Sequence, residues 1–142
     1  MKQIIFNKII IIYKMDELTL YLKTTEYYNI YDLEYILDKK IMITHNHIKY
    51  INRKYIFMIN LFKNYGYTFT NEDYITIISK DGHILKYIPE DIITNELCET
   101  AVKQAGDSII YVPKNKLTNE ICEIAIQSLP KYSIKLYLII LL

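Results

Sequence analysis

Lys86 to Gly106 reads KYIPEDIITNELCETAVKQAG, and Ile110 to Pro130 reads IYVPKNKLTNEICEIAIQSLP, with each residue of the second stretch 24 positions beyond its counterpart. Extending the pairing to residues 83–106 and 107–130 gives eight identities. They are Tyr87 with Tyr111, Pro89 with Pro113, Thr94 with Thr118, Asn95 with Asn119, Glu96 with Glu120, Cys98 with Cys122, Glu99 with Glu123 and Ala101 with Ala125. Most other apolar positions match in kind. Residues 59–82 form a degenerate third copy, which keeps Leu61, Thr70, Asn71, Glu72 and Gly82 but lacks the Tyr and Pro and has Tyr74 in the cysteine slot. A fixed period of this length predicts an all-α solenoid of stacked helical hairpins, in which each unit buries its apolar face against its neighbours.

The tripeptide Thr-Asn-Glu reads as a helix start. Thr or Asn can accept hydrogen bonds from the free amides of the first turn, and Glu there suits the helix dipole. Downstream, Leu97, Cys98, Ala101, Val102 and Ala105 share one face, as do Ile121, Cys122, Ala125, Ile126 and Leu129. Both spans predict amphipathic helices. Gly82 and Gly106 follow where a left-handed, helix-ending residue is expected. The remaining half of each unit, ILKYIPEDII and SIIYVPKNKL, predicts one or two helical turns ending near the proline, with a short strand as the alternative.

Before the repeats, YDLEYILDKK has a helical pattern with Tyr28, Tyr31 and Tyr35 on one stripe. Ile48, Ile51, Tyr55, Met58 and Phe62 recur at steps of three and four, which predicts a second helix. Residues 1–13 suit a strand or a short capping helix equally. The organisation expected is therefore a mainly helical capping region over 1–58. It leads into a repeat region over 59–142 with units 59–82, 83–106, 107–130 and a partial 131–142, all one continuous domain. The apolar tail, residues 133–142, is expected to cover the last helix and to promote self-association.

Composition narrows function by exclusion. Of the 142 residues, 51% are apolar and 23% charged, and the net charge is +1. Residues 1–71 carry ten basic against six acidic side chains, and residues 72–142 carry seven against ten. Neither half has the charge of a strong nucleic-acid binder. The two cysteines occupy equivalent slots, which fits small buried thiols in a reducing, intracellular compartment better than a disulfide framework or a four-ligand zinc site. The start MKQIIFNKIIIIYK lacks a signal cleavage site, and the final apolar run, Leu136–Leu142, is far below the roughly 18 residues of a membrane span.

Candidate sites weaken on inspection. His45 and His47 in THNHIKY suit a solvated helix start with Asn46 as its cap, and the nuclease framework that His-Asn-His suggests is missing. Cys98, Cys122 and His83 lack a fourth metal ligand. The tyrosine stripe with Lys39, Lys40, Arg53 and Lys54 could stack bases, but Asp32, Glu34 and Asp38 dilute its charge. No glycine-rich phosphate loop occurs. The reading is a non-enzymatic module without catalytic, cofactor or metal residues that binds another protein; nucleic-acid binding through the Tyr/Lys-rich N-terminal half is the alternative.

The pattern LKYIPEDIITNELCETAVKQ resembles a short tandem helical repeat of unknown function found in giant viruses of amoebae and in some bacterial proteins. The resemblance covers residues 83–127 well and 59–82 poorly. It implies helical repeats and, with the bias towards Ile, Lys and Asn, a viral source and a place in the host cytoplasm. It carries no catalytic residues over.

Overall fold

The computed structural model describes residues 16–130, and among them every regular element is helical. Expectations for residues 1–13 and for the 133–142 tail lie outside the described residues. The chain divides into two compact units, Met1–Ile51 with Phe57–Thr68, and Asn52–Ile56 with Phe69–Leu142.

In the first unit, α1 spans Glu17–Thr24, α2 Ile30–Leu37, α3 His45–Ile48 and α4 Phe57–Asn64. Asp16 caps α1 by accepting from the Thr19 amide, and Asn29 caps α2 by accepting from the Tyr31 amide. Leu18, Leu20 and Leu22 of α1 are buried, as are Leu33, Ile36 and Leu37 of α2. The step of three and four across residues 48–62 identified five buried side chains, Ile48, Ile51, Tyr55, Met58 and Phe62. It did not give one helix. Asn52 accepts from the amides of Lys54 and Tyr55, starts a short 3-10 turn at Arg53–Tyr55 and so interrupts the run. Helix α4 ends in a left-handed Gly66, φ 87°, with the Tyr67 amide bonded to the Phe62 carbonyl and the Gly66 amide to that of Lys63.

The second unit carries α5, Asn71–Ile78, α6, Asn95–Gln104, and α7, Asn119–Ser128. Each begins one residue after a threonine, and the Thr70, Thr94 and Thr118 side chains accept from the amides of Asp73, Leu97 and Ile121. Threonine, not asparagine, is the cap. Between these helices lie 3-10 helices at Gly82–Tyr87 and Gly106–Tyr111, each ending before a proline, so the alternative of strands is overturned. Helix α6 packs against both α5 and α7 and against both 3-10 helices. Of residues 59–82, Asn71–Ile78 form α5, whereas Ile59 to Asn64 belong to α4 of the first unit.

Gly82 and Gly106 do not end helices in a left-handed conformation; Gly66 is the one glycine with positive φ. They open the 3-10 helices, and their role is close approach. A Cβ on Gly82 would overlap the Ala101 carbonyl of α6, and one on Gly106 would overlap the Ala125 carbonyl of α7. The shared Gly and Ala of the repeat therefore mark one contact made twice.

The two cysteine slots diverge. Cys98 is fully buried, but Cys122 is half-buried, contrary to the expectation of two equivalent core thiols. Ile126 is 37% exposed, and neither Ala105 nor Leu129 reaches the core. Helix α6 packs on α5, α7 and both 3-10 helices, whereas the main contacts of α7 are with α6 and the Gly106–Tyr111 helix.

Candidate functional site

Three places among the described residues stand out as candidate sites. In the first unit, His47 is buried within α3. The Thr44 amide donates to its Nδ1 at 2.9 Å, so Nδ1 carries no proton and Nε2 does. Nε2 then donates to Thr19 Oγ1 at 2.8 Å, and Thr19 Oγ1 donates to Asp16 Oδ2 at 2.7 Å. Burial lowers the His47 pKa and outweighs the Asp16 charge that opposes it. Burial also favours the protonated form of Asp16, but the bonds from the Thr19 hydroxyl and amide hold its carboxyl below its ordinary value.

Thr19, His47 and Asp16 have the composition of a nucleophilic triad and the wrong polarity for one. A general base must accept the hydroxyl proton, and here Nε2 already bears a hydrogen aimed at Thr19. The carboxylate sits on the hydroxyl rather than on Nδ1. The group is a capping network: Thr44 rather than Asn46 precedes α3, and the ring of His47, expected in solvent, satisfies the Thr44 amide.

In the second unit, His83 lies between two carboxylates, with Nδ1 3.0 Å from Asp81 Oδ1 and Nε2 3.0 Å from Asp107 Oδ2. Arg53 Nε donates to Asp81 Oδ2 at 2.5 Å, and Arg53 Nη2 is 3.4 Å from His83 Nδ1. The Asp107 bond, with that of Asp81, raises the His83 pKa against partial burial. For Asp81, burial favours the neutral acid, yet the bonds from Arg53 and His83 outweigh it and lower its pKa. With His83 protonated, two cations balance two acids. The cluster joins the start of one 3-10 helix to the start of the next.

The third place is an open groove of about 650 Å³ between the two proline loops of the second unit. Ile88, Ile93, Val112 and Pro113 supply apolar walls, and Lys86, Glu90 and Lys114 supply charge. Burial raises the Cys98 thiol pKa, which disfavours the reactive thiolate. Among the described residues no group of three or more His, Cys, Asp or Glu side chains could hold a metal ion, and no helix is long and apolar enough to cross a membrane.

The structure separates the residues that the sequence grouped. Tyr31 and Tyr35 are exposed on α2, whereas Tyr28 turns inward and donates to the Leu22 carbonyl. Lys39 pairs with Glu17 at 2.7 Å, and Arg53 belongs to the His83 cluster. That cluster was missed, although its signal was present: His83 and Asp107 fill the same slot of successive repeats, and equivalent slots become neighbours when repeats pack. The chain matches no protein-family model, no curated protein and no solved structure.

Proposed function

We propose that residues 70–130 act as a small helical-repeat solenoid whose groove between proline loops receives a segment of another protein, with no catalytic role. The groove is the observation that carries this reading: apolar walls from Ile88, Ile93, Val112 and Pro113 lie beside the opposite charges of Lys86, Glu90 and Lys114. Such a lining suits an extended peptide with alternating apolar and polar side chains. The repeated Gly-to-Ala contact and the resemblance of residues 83–127 to tandem helical repeats support the solenoid.

A photo-crosslinking residue in place of Tyr87, which is 44% exposed beside the groove, tests it. The expected result is a discrete protein adduct in cells that Lys114→Glu with Val112→Asp abolishes. A matched crosslinker at Tyr27, an exposed position of the first unit, should not form it. Identical adducts from both positions, or adducts unaffected by the groove variant, would sink the reading. Adducts to nucleic acid, with an affinity falling steeply with salt, would favour a nucleic-acid ligand instead.

A further inference from the structure

Helix α2 buries Leu33, Ile36 and Leu37 and turns the opposite face outward. That outward face carries the exposed Tyr31, Tyr35 and Asp38 with the half-buried Glu34 at its edge, and the four fall within roughly 100° of arc at 100° per residue. Tyr31 is 76% exposed and Tyr35 66%, so both rings are open to a ligand. Tyr65 closes one end, donating to Asp38 Oδ1 at 2.7 Å.

Two properties of the face select its ligand. Ring faces attract cations, and two carboxylates interleaved with the rings repel phosphates and acidic peptides while attracting basic ones. The surface already holds one cation in this way: Lys39 Nζ lies 4.4 Å from the centre of the Tyr35 ring, tethered by Glu17. The Tyr65 hydroxyl has its pKa pushed up to about 12 by its bond to Asp38, as expected beside a charged carboxylate.

We infer that this face binds an arginine-rich segment of a partner protein, with guanidinium groups stacking on Tyr31 and Tyr35 and pairing with Glu34 and Asp38. Arginine is favoured over lysine because a planar guanidinium stacks and pairs at once. This site shares no residue with the proline-loop groove.

The test is fluorescence anisotropy on the full chain with labelled (Arg-Gly)6, (Lys-Gly)6 and (Glu-Gly)6 peptides and a labelled dT12 strand. The arginine peptide should bind most tightly, and amide shifts should concentrate at residues 30–38 and 65. Tyr31→Ala with Tyr35→Ala should weaken binding about tenfold, as should Glu34→Gln with Asp38→Asn, since one to two cation–ring or ion-pair contacts are lost. Unchanged circular dichroism in both variants separates loss of the site from loss of the fold, and Lys114→Glu should leave binding intact. Equal affinity in the variants, or no binding by the arginine peptide, overturns the inference. Tighter binding of dT12, or a dimer that Tyr31→Ala dissolves, would overturn it by reassigning the face to nucleic acid or to a second copy.

Discussion

Each compact unit contains a histidine with a polar atom at both ring nitrogens, and the two have their pKa values moved in opposite directions. His47 in the first unit meets a backbone amide at Nδ1 and is buried, so it stays neutral. His83 in the second meets a carboxylate on each side and keeps partial access to water, so the charged form is favoured. The lesson is about how each unit is held together. The polar contacts of the first do not recur, the His47 network among a helix cap, a threonine and a histidine being one of them; the second has a contact that recurs after 24 residues, to which the His83 cluster is added.

The sharpest way to break that contrast is Gly82→Val. The new Cβ would meet the carbonyl and carbon of Ala101, which are backbone atoms of α6 and cannot rotate away. A loss of about 3 kcal/mol is expected, with hydrogen exchange rising across residues 71–128 more than across 17–64. Gly66→Ala serves as the comparison, because its Cβ would meet nothing within 4 Å and only the φ of 87° is strained. It should cost about 1 kcal/mol. Equal losses at the two glycines would show that close approach is not what fixes Gly82.

Next in size is the difference between the two cysteine slots. Cys98→Ser places a hydroxyl in a fully buried apolar site and should cost about 2 kcal/mol, whereas Cys122→Ser should cost under about 1 kcal/mol because water reaches that slot. Thiol labelling of the native protein checks the same point: Cys122 should react quickly and Cys98 only on opening. Equal labelling rates would show the two slots to be equivalent.

Much of the second unit was legible in the sequence, and little of the first. The Thr-Asn-Glu starts and the apolar faces are local signals, and each gave a helix where expected. At Gly82 and Gly106 the sequence pattern suggests positive φ where the structure needs close approach, because the two demands leave the same mark in a sequence. In the first unit, Leu18, Leu20 and Leu22 alternate like a strand, yet they lie on a helix that buries more than one side. The 48–62 periodicity survived as burial while its helix was cut at Asn52, whose side chain competes locally for backbone amides. For the site, the tyrosine stripe was visible, but the sequence could not tell which rings faced out. The polar clusters depend on contacts across 24 to 31 residues, and of these only His83 with Asp107 follows the repeat register.

The histidines make the contrast measurable by pH. Starting from the ordinary value of 6.5, His47 is lowered in the folded state, so the unfolded chain binds more protons and the first unit should weaken as pH falls below about 6.5. His83 is raised, so its contribution is complete below about 6.5 and should fade as pH climbs through the higher folded value. Proton NMR titration of the two rings, with His47→Gln and His83→Gln to assign them, should give midpoints on opposite sides of 6.5. Midpoints on the same side would remove the distinction on which the comparison rests.

The smallest effect should have its sign reversed between the units. Ser108 is fully buried, and its Oγ is the only buried side-chain oxygen or nitrogen among the described residues without a hydrogen-bond partner. Its slot corresponds to Ile84, so a hydroxyl stands where the previous repeat has only carbon. Ser108→Ala removes a desolvated polar group at the cost of one small void and should raise stability by about 0.5 kcal/mol. Thr19→Val removes a hydroxyl of the first unit that is bonded to both His47 and Asp16, and it should lower stability by about 1 kcal/mol because Nε2–H of His47 is then left with only Asp16 Oδ1, 3.4 Å away. Urea midpoints moving in opposite directions with unchanged slopes are the expected outcome. A loss at Ser108 comparable to that at Thr19 would mean that the Ser108 hydroxyl is satisfied, for instance by a buried water, and that the repeat contact is not purely apolar there.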